Sequence, residues 1–138
     1  MIKNIFIFII TLLLSSHALS AENDNMDKNK RTAIAFLEAV VNEKNFDKAS
    51  AYLRSNYQQH NPEKPVGANS LKKFVEFLKS TYPNAHTTIK QVYADGDSVI
   101  LFVHSVREPG TKGRAIVNIF KLKQNKIQQR WEVAQDII

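Results

Sequence analysis

Apolar positions recur every three to four residues in the first half of the chain and every two in the last third. From Lys28 to Lys44 they fall at Ala33, Ile34, Leu37, Val40 and Val41. That spacing predicts a helix with one buried stripe, capped by Asn25 or Asp27. Asn45-Phe46-Asp47 interrupts it, and Asp47 is placed to cap a short second helix that puts Ala49, Tyr52 and Leu53 on one side. Ser55 to Pro62, followed by Glu63-Lys64-Pro65-Val66-Gly67, predicts an irregular loop. Asn69 or Ser70 caps a third helix with Leu71, Phe74, Val75 and Leu78 facing inward, and Pro83 ends it. Strands are then predicted at about His86 to Tyr93, Asp97 to Glu108, Arg114 to Lys123 and Lys126 to Gln135, with Asp95-Gly96 as a hairpin turn.

Helices first and strands after is an α+β order, with the helices on one face of an antiparallel sheet. The segment Ser98 to Val106 is apolar on both faces, Val99, Leu101 and Val103 against Ile100, Phe102 and Val106. One face meets the helices; a second copy of the chain is the simplest cover for the other, which predicts a homodimer through the sheet.

Not all of the 138 residues belong to this domain. Residues 1–21 carry Lys3, an apolar run from Ile5 to Leu14, and then Ser15-Ser16-His17-Ala18-Leu19-Ser20-Ala21. A basic start, a short apolar core and a small-residue zone form the pattern of a secretory signal peptide, cleaved after Ser20 or Ala21. The apolar run is short for a membrane span, which takes roughly 20 residues. An uncleaved anchor is the alternative; otherwise the protein is periplasmic or secreted, with no stable membrane insertion after cleavage. Residues 22–138 are then one domain. Without cysteine there is neither a disulfide nor a site for lipid attachment at a thiol.

The formal net charge of +6 is scattered, apart from Lys121, Lys123, Lys126 and Arg130 near the last turn. These residues either form a basic strip or are simply solvated. They do not interleave with exposed aromatics, so nucleic acid is not an expected partner.

Chemistry is suggested by the polar residues that interrupt the apolar strands: His104, Asn118 and Glu132. Polar groups inside an apolar sheet are costly unless hydrogen-bonded or used. A symmetric loop from Glu108 to Arg114 would set His104 opposite Asn118, Phe102 opposite Phe120 and Val106 opposite Ile116. The first pair would be an acid or base held in one tautomer, or a buried hydrogen bond and nothing more. With Gln124-Asn125 as a two-residue turn, Asn118 would face Trp131 and Glu132 would face Val117, on the side away from His104. A bulge would reverse that and bring the carboxylate inward. His60 and Asn61 sit in the predicted loop, where they either line a pocket mouth or order the turn. Tyr57 and Tyr52 offer hydroxyl donors or packing. His60, His86 and His104 show no metal-ligand spacing, and there is neither a Gly-x-Ser-x-Gly elbow nor a Gly-rich phosphate loop.

Taken together, Tyr57-Gln58-Gln59-His60-Asn61-Pro62, Tyr93-Ala94-Asp95-Gly96-Asp97, Val103-His104, Ala115 to Phe120 and Asn125 to Val133 resemble the SnoaL-like polyketide cyclase group. That group has the nuclear transport factor 2-like fold, which also contains ketosteroid isomerase and scytalone dehydratase. The resemblance spans essentially residues 22–138 and implies a cone: a curved antiparallel sheet wrapped by three N-terminal helices around a dead-end apolar pocket. It further implies a small apolar carbonyl ligand and cofactor-free, metal-free proton transfer leading to isomerisation, cyclisation or aldol-type chemistry. The implied catalytic positions are Glu132, His104, His60 and Asn118; the implied ligand contacts are Tyr57, Asn61, Phe102, Phe120 and Trp131. The family pattern has Asp where this chain has Asn118, and His-Trp-Asp where it has Arg130-Trp131-Glu132. Asn at 118 removes one possible base, and Glu at 132 moves the acid by about one methylene, where ~1 Å can matter ~100-fold in rate. A non-catalytic ligand-binding or interaction module is the alternative.

Overall fold

The computed structural model describes residues 2–60 and 67–137, with side chains from Ala18 onward. Helix α1 (Ile2–Leu37) runs into a π-helical turn, Glu38–Asn42, followed by α2 (Phe46–Ser50), β1 (Leu53–His60) and α3 (Ala68–Thr81). Four more strands follow: β2 (His86–Asp95), β3 (Ser98–Val106), β4 (Arg114–Lys123) and β5 (Lys126–Asp136). They form one curved, open sheet in the order β1-β5-β4-β3-β2. Among the described residues no helix is long and apolar enough to cross a membrane.

The helical stripe on α1 continues through the π turn, so that Ala33, Phe36, Leu37, Val40 and Val41 are all buried. They meet Leu71, Val75 and Leu78 of α3 and Val99, Leu101, Val103, Phe120 and Ile127 of the sheet in one core. Phe36 stands edge-on to Phe120, with ring centroids 5.8 Å apart, a favoured aromatic arrangement.

Polar anchors fix the helix on that face. The buried Asn29 accepts a 2.9 Å bond from Asn125 Nδ2 and reaches the Gly96 carbonyl, so it ties α1 to the turns of two hairpins. Asn42 in the π turn donates to the Thr87 carbonyl at 3.0 Å and accepts from the Thr87 amide at 2.8 Å, binding the helix to β2. Lys44 donates to the Ala85 carbonyl at 2.9 Å, and burial pulls its ammonium pKa below the usual lysine value.

The predicted loop from Ser55 onward is in part a strand. β1 pairs in parallel with β5 at the sheet edge, matching Gln58 to Gln129, Gln59 to Arg130 and His60 to Trp131. Tyr57 and Gln59 are buried while Gln58 and His60 are exposed. The alternation is therefore real but carried by a tyrosine and a glutamine rather than by aliphatics. Leu53 accordingly belongs to β1 and not to the short helix. Asn45, not Asp47, caps that helix, accepting from the Lys48 amide at 3.0 Å. The third helix starts from Gly67 at φ 103° without a side-chain cap, two to three residues before the predicted Asn69 or Ser70.

Two register events decide what the sheet presents inward. The loop between β3 and β4 is asymmetric: Ser105 pairs with Arg114, Leu101 with Asn118 and Phe102 with Val117. Between β4 and β5, Gln124 and Asn125 adopt φ 55° and 56° in a two-residue turn. A shift between Lys121 and Leu122 then places Asn118 opposite Glu132.

Candidate functional site

A cavity of about 400 Å³ opens between the π turn, α3 and the inner face of β2 to β5. Its walls are apolar: Leu37 from α1 and Val41 from the π turn, Phe74, Leu78 and Tyr82 from α3 and its end, and Val103 and Ile116 from the sheet. Asn118, Arg130 and Glu132 close the deep end. Because side chains along a strand alternate faces, Arg130 and Glu132 are both brought inward by the β5 bulge.

Arg130 organises this floor. It is 3% exposed, and a buried guanidinium must find acceptors. Its Nε and one terminal nitrogen donate to Asn118 Oδ1 at 3.1 and 2.6 Å. The same terminal nitrogen donates to Glu132 Oε2 at 2.6 Å. The rings of Phe36 and Phe120 lie 5.8 Å from the guanidinium carbon, within cation–π range. Tyr57 is buried behind it and donates to Gln59 Oε1 at 3.3 Å. Burial is the main cause that raises the Tyr57 phenol above its ordinary value; the Arg130 charge and a hydrogen bond from it pull the other way.

The structure distributes the sequence-predicted residues over two faces. Glu132 and Asn118 meet at the cavity floor, one step apart through Arg130. Phe120 lies beneath them in the core against Phe36, and Tyr57 lies behind Arg130. His104 is on the opposite face of the sheet from Asn118, so the expected pairing of these two does not form; the β3–β4 loop is three residues out of the symmetric register. Instead His104 Nε2 sits 2.7 Å from the Lys112 carbonyl, to which it must donate, and with Phe102 it lines a shallow hollow on the outer face. His60 also faces outward, stacked on Trp131 with ring centroids 4.6 Å apart and planes 13° from parallel. Asn61 lies outside the described residues.

Arg130 is not among the sequence-predicted site residues; by sequence it reads, with Lys121, Lys123 and Lys126, as a basic strip or a solvated surface. Its signal was its spacing: two residues from Glu132, it must share that residue's face. Among the described residues no group of three or more histidine, cysteine, aspartate or glutamate side chains could hold a metal ion.

The sequence model of the SnoaL-like polyketide cyclases matches residues 31–137. The chain belongs to the SnoaL-like polyketide cyclase family. No protein of curated function matches it significantly. Solved structures agree on the fold. A candidate polyketide cyclase from Acidithiobacillus ferrooxidans is 20% identical with a TM-score of 0.66, over 78% of this chain and 88% of that one. An LEH-like epoxide hydrolase from M. tuberculosis is 18% identical with a TM-score of 0.67, over 80% and 85%. An NTF2-like protein of unknown function from Cytophaga hutchinsonii is 17% identical with a TM-score of 0.64, over 78% and 89%. At these identities the likeness establishes the nuclear transport factor 2-like fold and leaves the reaction to the site itself.

Proposed function

We propose that this is an exported SnoaL-like protein that holds a small, largely apolar carbonyl compound in its cavity. In this reading Glu132 serves as the base for cofactor-free proton transfer next to the carbonyl, giving isomerisation, cyclisation or aldol-type chemistry. The observation that carries the reading is the placement of one carboxylate, Glu132, at the floor of an apolar-walled cavity, with Arg130 and Asn118 fixing the groups around it. A carbonyl oxygen at the floor would lie among N–H donors of Asn118 and Arg130, the groups that stabilise an enolate. Export rests on the leader pattern of residues 1–21, and a periplasmic or secreted address follows from it.

A second copy on the outer sheet face belongs to the same proposal. Tyr93, Ile100 and Val133 are 55%, 37% and 67% exposed there. An apolar face that meets its own copy by two-fold symmetry would cover them all.

One observation favours a non-catalytic binder. The guanidinium of Arg130 already engages Glu132 at 2.6 Å, a contact that a purely structural ion pair would also make. Native mass spectrometry of the exported protein, followed by denaturation and identification of what is released, tests the ligand. Replacing Glu132→Gln then separates the two readings. Turnover of the recovered compound should vanish while its affinity stays within a few-fold; full turnover in the variant would reject Glu132 as the base.

A further inference from the structure

The cavity is banded. On the sheet side, the deep row is Asn118 and Glu132, the middle row is Val103 and Ile116, and the row nearest the mouth is Thr87, Ser105, Arg114 and Asp136. Arg107, Glu108 and Lys112 of the β3–β4 loop complete the mouth. Asn118 and Arg114 are four residues apart on one strand, so the two polar ends are separated by roughly 13 Å at the usual rise. A plain apolar pocket would need no such second polar row.

The mouth is rich in donors that lack acceptors. Ser105 Oγ accepts from Thr87 Oγ1 at 3.0 Å, which leaves its own O–H to donate, and among the described residues nothing takes it. The Lys112 ammonium makes no hydrogen bond or ion pair among the described residues, and Arg107 lies 5.6 Å over the Tyr82 ring without a carboxylate partner among them. Of the two carboxylates at the mouth among the described residues, Asp136 is tied to Arg114 at 2.7 Å, which leaves Glu108 as the opposing charge there. The loop that carries these donors is pinned. His104 Nε2 donates to the Lys112 carbonyl at 2.7 Å, and the Ile137 amide donates to the Gly113 carbonyl at 3.2 Å.

We propose that the ligand carries a carboxylate at the end opposite its carbonyl: an oxo acid with an apolar body, its carbonyl at the Asn118–Arg130–Glu132 floor and its carboxylate among Ser105, Arg107 and Lys112. This rests on the reading of the cavity as a carbonyl-compound site and names the substrate class for it. The outward-facing His104 thereby has a role, as a positioning residue for the mouth loop.

Isothermal titration of the exported protein with three matched series tests this: straight-chain oxo acids of graded length, the ketones that lack the carboxylate, and amino ketones of the same lengths. At the best length the oxo acid should bind about tenfold more tightly than its ketone, the low end for a charge-assisted contact at a wet rim. Affinity should peak at one length. Replacing Arg107→Gln together with Lys112→Gln should erase the acid's advantage and leave ketone affinity unchanged. Equal binding of acid and ketone, tighter binding of the amino ketone, or a flat length dependence would each overturn the carboxylate assignment while leaving the carbonyl site standing. If no member of any series binds, the carbonyl-site reading fails and this inference fails with it.

Discussion

Replacing Arg130 alone should cost more stability than replacing Arg130 and Glu132 together. The side chains of the pair are 3% and 13% exposed, so solvent screens their interaction little. Arg130→Met keeps the apolar stem between Phe36 and Phe120 but takes the guanidinium away from Glu132, and it takes both donors away from Asn118 Oδ1. Breaking a buried pair from one side costs ~3–5 kcal/mol, and an acceptor left without its donors adds ~1–3 kcal/mol. Water in the adjoining cavity relieves part of this, so ~3 kcal/mol is the working figure. For a domain of this size that corresponds to a fall in Tm of ~12 °C. The double variant Arg130→Met with Glu132→Leu removes both charges and fills the floor with apolar groups, and it should regain ~2 kcal/mol. Urea unfolding followed by circular dichroism, with the m-value checked for constancy, gives all the free energies of the cycle. A cost below ~1 kcal/mol for the single variant, or a double variant less stable than the single one, would refute the claim that this pair organises the floor.

Other consequences are as direct. Burial raises the Tyr57 phenol, so its stabilising contribution should be complete below about pH 10 and lost as pH climbs through the raised value. Ultraviolet titration should show one tyrosine ionising late, and that step should be missing in Tyr57→Phe. Gly113→Ala should be destabilising by ~1–3 kcal/mol, because the backbone sits at φ 75° and a Cβ would lie 2.5 Å from the Ser105 carbonyl oxygen; thermal melts check this, and an unchanged Tm would contradict it. Ile100→Lys with Val133→Lys should convert the proposed outer-face dimer to a folded monomer in sedimentation experiments; an unchanged sedimentation coefficient would remove the outer face as a dimer interface.

The strands β2 to β5 and the stripe of α1 are legible in the sequence because periodicity and turn chemistry agree there. Gln124-Asn125 fixes one hairpin locally, and the Asp95-Gly96 signal marks the other, whose two turn residues are Gly96 and Asp97 because Asp95 pairs with Ser98. Strand β1 is not legible, since only Tyr57 and Gln59 are buried along it and its backbone partner lies some seventy residues away in β5. The His104–Asn118 register fails for a different reason. The loop between β3 and β4 is long enough to close in several registers, and the one adopted admits Gly113 at a place where any Cβ would strike Ser105 and His104. An odd shift of register reverses every side chain, so one loop decides which polar residues share a face. The face of Glu132 is open in the sequence for another reason: it depends on the bulge between β4 and β5 near Leu122, which brings the carboxylate inward.

That bulge also explains how the departure from the family pattern at position 118 fits this chain. Arg130 turns inward with Glu132, and its guanidinium then needs acceptors on both sides. Asn118 supplies a neutral one through Oδ1 and Glu132 supplies the charged one. An aspartate at 118 would place a second carboxylate beside the same guanidinium, and two acids crowded at one buried site resist ionising together. With asparagine the buried cluster carries one positive and one negative charge and can be covered by apolar walls at lower cost. The chain therefore holds a neutral floor with a single carboxylate. Among the described residues this leaves Glu132 as the one acid at the deep end of the cavity, and it leaves Arg107 and Lys112 at the mouth without an ion-pair partner.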